Sequence, residues 1–279
     1  MEGKMKIAFI GTGNMGSALI KGVCKATDPS EVVIYDVDMT KATALAQPIG
    51  CWIAGNESEA AANADYVVLA VKPQILRGVQ ETIMKMLESN YRADRRQILV
   101  SIAAGIDLAS LSEIPLSNGV KLPVIRALPN TPAEVGQGLI IYTPNDLVTD
   151  DECLEFESLF SECGLVEMVN EDTLDAASAI SGCTPAFAYM FIDALADGAV
   201  RCGVPRDMAI RYAAQVLKGS ASMVLESGKH PGRLKDAVCS PGGSTIVGVA
   251  ALEDSAFRAA AANAVFLANE KNKALGKKG

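Results

Sequence analysis

Short apolar runs alternate with amphipathic stretches through the first part of the chain: Met5 to Ile10, Val32 to Tyr35, Tyr66 to Val71, Ile98 to Ile102, Pro123 to Leu128 and Leu139 to Tyr142. This alternation predicts a mostly parallel sheet wound on both faces by helices. The unbroken stretch Val67-Val68-Leu69-Ala70-Val71 marks a central strand buried on both sides, because a strand with one wet face would alternate with polar residues. An amphipathic helix over Asp150 to Cys163 and a short strand, Leu165 to Val169, close this part. From Glu171 onward the runs become long and rich in alanine, and apolar residues recur at helical spacing, as in Phe187 with Phe191 and Leu195 with Ala199. The change predicts a boundary near Val169-Asn170, with a doubly wound α/β domain over 1–169 and an all-α domain over 170–279.

Composition narrows the class. The chain has 279 residues, 49% of them hydrophobic, and a mean hydropathy of +0.22, which suits a folded globule and excludes disorder. Lys+Arg 25 against Asp+Glu 33 gives a net charge of −8, and the short Lys277-Lys278 tail is the only basic run, so nucleic acid is not expected as a partner. The single histidine, His230, rules out a His-rich metal site, no metal is expected, and catalysis must run on other groups. Seven cysteines, odd in number, scattered and never spaced as Cys-x-x-Cys, read as reduced residues of a cytoplasmic protein. No segment reaches the ~20 uninterrupted apolar residues of a membrane helix. The most apolar helical stretch, Thr184 to Val200, carries Asp193 and Asp197. The apolar run Ile7 to Ile10 is too short for a signal peptide, so a soluble, unexported protein is expected.

Gly11-Thr12-Gly13-Asn14-Met15-Gly16 follows the first apolar run and opens the helical pattern Met15, Ala18, Leu19, Val23. In a dinucleotide fingerprint the first glycine makes the tight turn, the second lets the backbone approach a diphosphate, and the third permits close helix packing. The alternative is a plain strand–helix turn. With the fingerprint, the first domain reads as Rossmann-like. Asp36 ends the second strand about 20 residues further on, where an acid accepts hydrogen bonds from an adenine ribose and repels a 2′-phosphate. This leans toward NADH; Asp38 strengthens the lean, while Thr40 and Lys41 stand close enough to meet a phosphate.

Three further segments fall at the same sheet edge: Ala70-Val71-Lys72-Pro73, Ile102-Ala103-Ala104-Gly105, and Arg126 to Pro132. Lys72 is either a cofactor contact or a surface lysine before the helix-starting Pro73. Pro129 and Pro132 make a rigid turn that either sets Asn130 and Thr131 near a nicotinamide or is merely architectural. Ser240-Pro241-Gly242-Gly243-Ser244-Thr245 is a second glycine-rich loop before an apolar helix, and reads as a carboxylate or phosphate site or as a capped helix start. His230, before Pro231, reads as a turn or cap residue.

These segments, in this order, resemble the Δ1-pyrroline-5-carboxylate reductase family over almost the whole chain. The resemblance rests on Ile10 to Gly16, Ala70 to Gln74, Arg126 to Pro132, and above all His230-Pro231-Gly232, Leu234-Lys235-Asp236 and Ser240 to Thr245. It implies a Rossmann domain, a C-terminal helical dimerisation domain with a shared active site, and a homodimer or higher oligomer. It also implies NADPH or NADH as cofactor and a small cyclic imine as substrate, reduced to L-proline. Carried over by position, Gly11, Gly13, Asn14, Met15, Gly16, Asn56, Val71, Lys72, Pro73, Ala104 and Pro185 resemble cofactor contacts beside Asp36. Glu171, Ser240, Gly242, Gly243, Ser244 and Thr245 resemble the substrate side, with Thr245 as the hydroxyl on the ring nitrogen. One departure is Ser181-Gly182-Cys183-Thr184-Pro185-Ala186, where the family usually has a second glycine in place of Thr184 at what reads as a helix start.

A cyclic imine protonated in water is already electrophilic and needs positioning against a hydride donor more than a strong acid, which suits a site without histidine. Two other readings are weighed. A β-hydroxyacid dehydrogenase-like oxidoreductase would use a lysine in the first long interdomain helix, and Thr184 to Val200 has none. A non-catalytic dinucleotide-sensing regulator would carry a degraded second loop, whereas Ser240 to Thr245 is intact.

Overall fold

The computed structural model describes residues 5–62, 64–90, 97–113, 119 and 121–276; the Lys277-Lys278 tail lies outside them. The first elements are β1 (Met5–Ile10), α1 (Asn14–Ala26), β2 (Val32–Tyr35), α2 (Met39–Ile49), β3 (Trp52–Ile53), α3 (Glu57–Ala62), β4 (Ala64–Leu69) and α4 (Pro73–Asn90). There follow β5 (Ile98–Ser101), α5 (Leu108–Ser112), β6 (Val124–Leu128), β7 (Gly138–Pro144), α6 (Asp150–Phe160) and β8 (Gly164–Met168). Five helices complete the chain: α7 (Glu171–Arg201), α8 (Arg206–Ser227), α9 (Pro231–Ala237), α10 (Ser244–Asp254) and α11 (Phe257–Gly276).

The strands form one sheet in the order β3-β2-β1-β4-β5-β6-β7-β8, parallel throughout except where β7 runs against β6. The doubly wound α/β architecture with a helical C-terminal part is therefore as the alternation predicted. Alternate residues of the central strands serve opposite faces. Phe9, Tyr66 and Val68 pack under α1 and α6, with Phe156 against both Phe160 and Tyr142. Ala8, Val67 and Leu69 pack under α3, α4 and α5. Burial on both faces is why these strands read as continuous apolar runs. β3 escaped the sequence reading because two edge residues are too few to show a period.

By its contacts the chain forms two units, one of residues 1–182 and 269–279, the other of residues 183–268. The change of texture near Val169 coincides with the start of α7, but the first turns of that helix belong to the first unit. Leu174 is fully buried with Leu128 and Ile141, and Glu171 and Asp175 bind Arg126 on β6. The expected helix start at Thr184-Pro185 is corrected: α7 runs unbroken from Glu171 to Arg201 with Pro185 inside it. A proline there withholds the N–H that would bond the carbonyl of Ser181. That carbonyl instead accepts the side-chain amide of Asn130 at 3.0 Å.

The second unit has little core of its own. Among its described residues the buried hydrophobic ones are Ala196, Ala209 and Ala213, whereas Met190 (72%), Val247 (65%) and Leu225 (77%) stand exposed. Phe191 stacks on Phe257 with ring centroids 5.2 Å apart, and Arg206 pairs with Asp197 at 2.6 Å. With 31 residues, α7 is by length and composition alone long and apolar enough to cross a bilayer, although it holds no uninterrupted apolar run of that length.

Candidate active site

The glycine fingerprint folds as its spacing requires. Gly11 has φ +105, and a Cβ there would strike the carbonyl of Ala70; a Cβ at Gly16 would strike the carbonyl of Gly11. The first glycine thus makes the turn between adjacent strand ends and the third lets α1 sit close on it. At Gly13 a Cβ would meet nothing within 4 Å, and this open position is the N-cap of α1. No side chain caps α1 and no acid stands in its first turn. The helix therefore starts without a side-chain cap or an acid of its own at its positive dipole end, reached over bare backbone, which suits a diphosphate.

The ladder sets the neighbouring groups along the same edge. Ile10 pairs with Tyr35 and Leu69, and Leu69 with Ser101, so the segments after β2, β1, β4 and β5 lie side by side at the carboxyl ends of their strands. In such sheets ligands bind at that edge. The predicted cofactor residues Asn14 and Met15 open α1 beside this edge. Val71 is half-buried and Lys72 exposed after β4, and exposed Pro73 is the first residue of α4. Exposed Ala104 lies in the turn after β5, which Gly105 makes at φ +80. The Oδ1 of Asn56 accepts the N–H of Glu59 at 2.8 Å at the start of α3.

Asp36 is held to the fingerprint itself. Its Oδ2 accepts the backbone N–H of Thr12 at 2.7 Å and the Thr12 hydroxyl at 3.0 Å, and its Oδ1 accepts the N–H of Asp38 at 2.9 Å. Burial alone would push this carboxyl up, but the hydrogen bonds from Thr12 and Asp38, with the charge of Lys41, outweigh it and hold Asp36 below the usual carboxylate range. Lys41 itself pairs with Asp38 at 3.3 Å. The sequence reading missed Thr12. Its signal was a hydroxyl residue between the first two glycines.

Glu171, expected beside the substrate, is heavily engaged. Its Oε1 accepts the N–H of Leu108 and Nη1 of Arg126, both at 2.7 Å, while Nη2 of Arg126 binds Asp175 at 2.7 Å. The Arg126 side chain is 4% exposed. This cluster was also missed, although an arginine inside the apolar strand Val124–Leu128 signals that acids must meet it. Asn130 donates to Ser181 and accepts the N–H of Leu139 at 2.9 Å, bonds that hold the turn between Pro129 and Pro132 in place.

In the second unit, Ser240 to Thr245 forms a turn and an open helix start. Gly243 N–H bonds the carbonyl of Ser240 at 3.1 Å, Gly242 takes φ +67, and α10 begins at Ser244 behind the N-cap Gly243 with no side-chain cap. A helix start capped by a side chain is therefore not what the loop makes. Its leading N–H groups, with the exposed hydroxyls of Ser244 and Thr245, form an anion-accepting end. Pro185 lies in this unit within α7, and His230 caps α9, its Nδ1 accepting the Gly232 N–H at 3.0 Å.

Residues 171–275 match a family model described as pyrroline-5-carboxylate reductase dimerisation, and residues 6–105 one described as NADP oxidoreductase, coenzyme F420-dependent. The chain is 40% identical over 274 residues to pyrroline-5-carboxylate reductase of Escherichia coli, covering 98% of each chain. It is 38% identical over 275 residues to that of Methanosarcina acetivorans, again covering 98% of each. Among solved structures it resembles the Plasmodium falciparum pyrroline carboxylate reductase with NADP bound, with a TM-score of 0.81 and 34% identity, covering 98% of this chain and 100% of that one. Both uncapped glycine-led helix starts fall inside the matched length, and the likeness runs almost end to end: the chain belongs to the pyrroline-5-carboxylate reductase family.

Proposed function

We propose that this chain is an NAD(P)H-dependent oxidoreductase that reduces the cyclic imine 1-pyrroline-5-carboxylate to L-proline. The observation that carries the reading is the uncapped start of α1 at Gly13, open to a diphosphate, in a chain of this family. Residues 1–169 hold the dinucleotide, and residues 170–279 form the dimerisation and substrate domain. Gly11, Gly13, Asn14, Met15 and Gly16 seat the diphosphate on the helix start; Asp36 and Asn56 serve its adenosine side; Val71, Lys72, Pro73, Ala104 and Pro185 complete its contacts. When bound, the dinucleotide supplies the hydride. The N–H groups of Gly242, Gly243 and Ser244 carry the substrate carboxylate, Ser240 and Glu171 border it, and the Thr245 hydroxyl fixes the ring nitrogen. The protonated imine needs no strong acid from the protein, and orientation supplies most of the rate.

The helical unit supports a homodimer or higher homo-oligomer, since its exposed apolar faces exceed what three buried alanines can stabilise. A net charge of −8 weighs against nucleic acid, and anchoring of α7 through Arg126 weighs against a bilayer span. Seven unpaired cysteines suit the cytoplasm. α7 has no lysine, which disfavours the hydroxyacid dehydrogenase reading. The test is oxidation of NADPH or NADH by the purified protein with 1-pyrroline-5-carboxylate, with proline identified as product. Substrate-dependent oxidation is expected; no turnover with either cofactor overturns the reading.

A further inference from the structure

We propose that Asp36 makes this reductase prefer NADH by charge rather than by a pair of ribose hydrogen bonds, and that Thr12 is the positioning residue holding the carboxylate for that task. The proposal rests on the dinucleotide-binding reading above and goes beyond it to specificity. An ionised carboxylate offers about four acceptor positions. Thr12 N–H and Oγ1 fill both on Oδ2, and Asp38 N–H fills one on Oδ1. One acceptor is left, so Asp36 takes a single ribose hydroxyl. What remains undiminished is its negative charge, fixed at the end of β2 where the adenine ribose of a dinucleotide falls.

The neighbours do not neutralise it. From Val32 to Gly50 the chain carries one cation, Lys41, and that cation is paired with Asp38 at 3.3 Å. Asp36, Asp38 and Lys41 together sum to one negative charge, against a 2′-phosphate that adds nearly two more. Lys41 meets a phosphate only as a cation already shared with Asp38, so its charge cannot offset Asp36 as well. Thr12 matters because two donors from one residue fix Oδ2, so the charge cannot swing away from the incoming phosphate.

The test is fluorescence titration of the unliganded protein with NADH and with NADPH, beside kcat/KM for each, in wild type, Asp36→Asn, Thr12→Val and Thr12→Ser. Using the ratio of the two cofactors in one preparation cancels any inactive fraction. Wild type should bind NADH at least about tenfold tighter than NADPH, with the gap narrowing as salt is added. Asp36→Asn should close the gap chiefly by tightening NADPH. Thr12→Val should narrow it, and Thr12→Ser, which keeps the hydroxyl, should restore it. Wild type binding NADPH as tightly as NADH, or Asp36→Asn weakening both cofactors equally, would overturn the proposal; unchanged ratios in Thr12→Val would overturn the role of Thr12. If the expected binding ratio appears without imine reduction, the functional reading fails and this one stands. Turnover that favours NADPH reverses that outcome.

Discussion

The side-chain amide of Asn130 donates to the carbonyl of Ser181 at 3.0 Å, filling the place that the missing N–H of Pro185 leaves open inside α7. One residue of the Pro-Asn-Thr-Pro turn thus lets a proline occupy a helix interior, and its Oδ1 ties the same turn to β7 through Leu139.

This relationship is testable as a cycle. Asn130→Asp keeps the acceptor for Leu139 but turns an oxygen toward the Ser181 carbonyl, and should cost about 1–3 kcal/mol of stability. In a Pro185→Ala background the new N–H serves Ser181, and the same change should cost at least about 1 kcal/mol less. Equal losses in both backgrounds, measured by denaturant unfolding, would refute the coupling.

Arg126 is buried between two acids, so removing one exposes the demand of the other groups. Glu171→Ala leaves Arg126 with Asp175 alone and strips the Leu108 N–H of its acceptor, which should lower stability by about 2–4 kcal/mol. Glu171→Gln should cost less, because it retains an acceptor. A melting temperature unmoved in Glu171→Ala would show that the cluster is idle.

Thr245 stands second in α10, exposed, behind a glycine N-cap. Thr245→Val keeps the shape and removes the hydroxyl. A lost hydrogen bond to a charged ring nitrogen is worth about 1.5–3 kcal/mol, so kcat/KM should fall roughly ten- to more than a hundredfold with cofactor binding and melting temperature nearly unchanged. Full activity in a well-folded variant moves the substrate site off this loop.

The exposed apolar helices of the second unit call for a partner. The melting temperature should rise with protein concentration, as for an assembly whose stability follows mass action. Val216, 63% exposed on α8, gives a second handle: Val216→Glu should weaken self-association. An active monomer sedimenting at ~1 μM wild-type protein would contradict the expectation.

Acid should loosen the first unit. Hydrogen bonds from Thr12 and Asp38 outweigh burial at Asp36, and hydrogen bonds from Ser110 hold Asp107, so both carboxyls titrate below their usual range in the folded chain. Groups depressed in this way contribute stability that is complete above an unfolded value near ~3.9 and fades as pH falls through the folded value. The drop in melting temperature below about pH 4.5 should therefore be shallower in Asp36→Asn than in wild type. Parallel curves would show that Asp36 carries no such linkage.

Much of the fold was legible because it is written locally. Burial on both faces makes a strand read as an apolar run, and the constraint at Gly11 comes from its own φ and the adjacent strand end. The glycine-led start of α10 was legible as a glycine-rich loop before an apolar helix, while the absence of a side-chain cap, left open between two readings, was decided by the structure. Where the residues are in register within one segment, spacing carries the information.

The sequence by itself determined the doubly wound sheet, the helical second half and the two glycine-rich helix starts. Only the tertiary structure decided that Thr12 holds Asp36, that Arg126 occupies Glu171, and that Asn130 supports α7 across Pro185. These partners stand 24, 45 and, from Asn130 to Ser181, 51 residues apart. A buried donor or acceptor takes whichever group the fold brings within reach, and at such separations no period or spacing in the chain encodes which group that is.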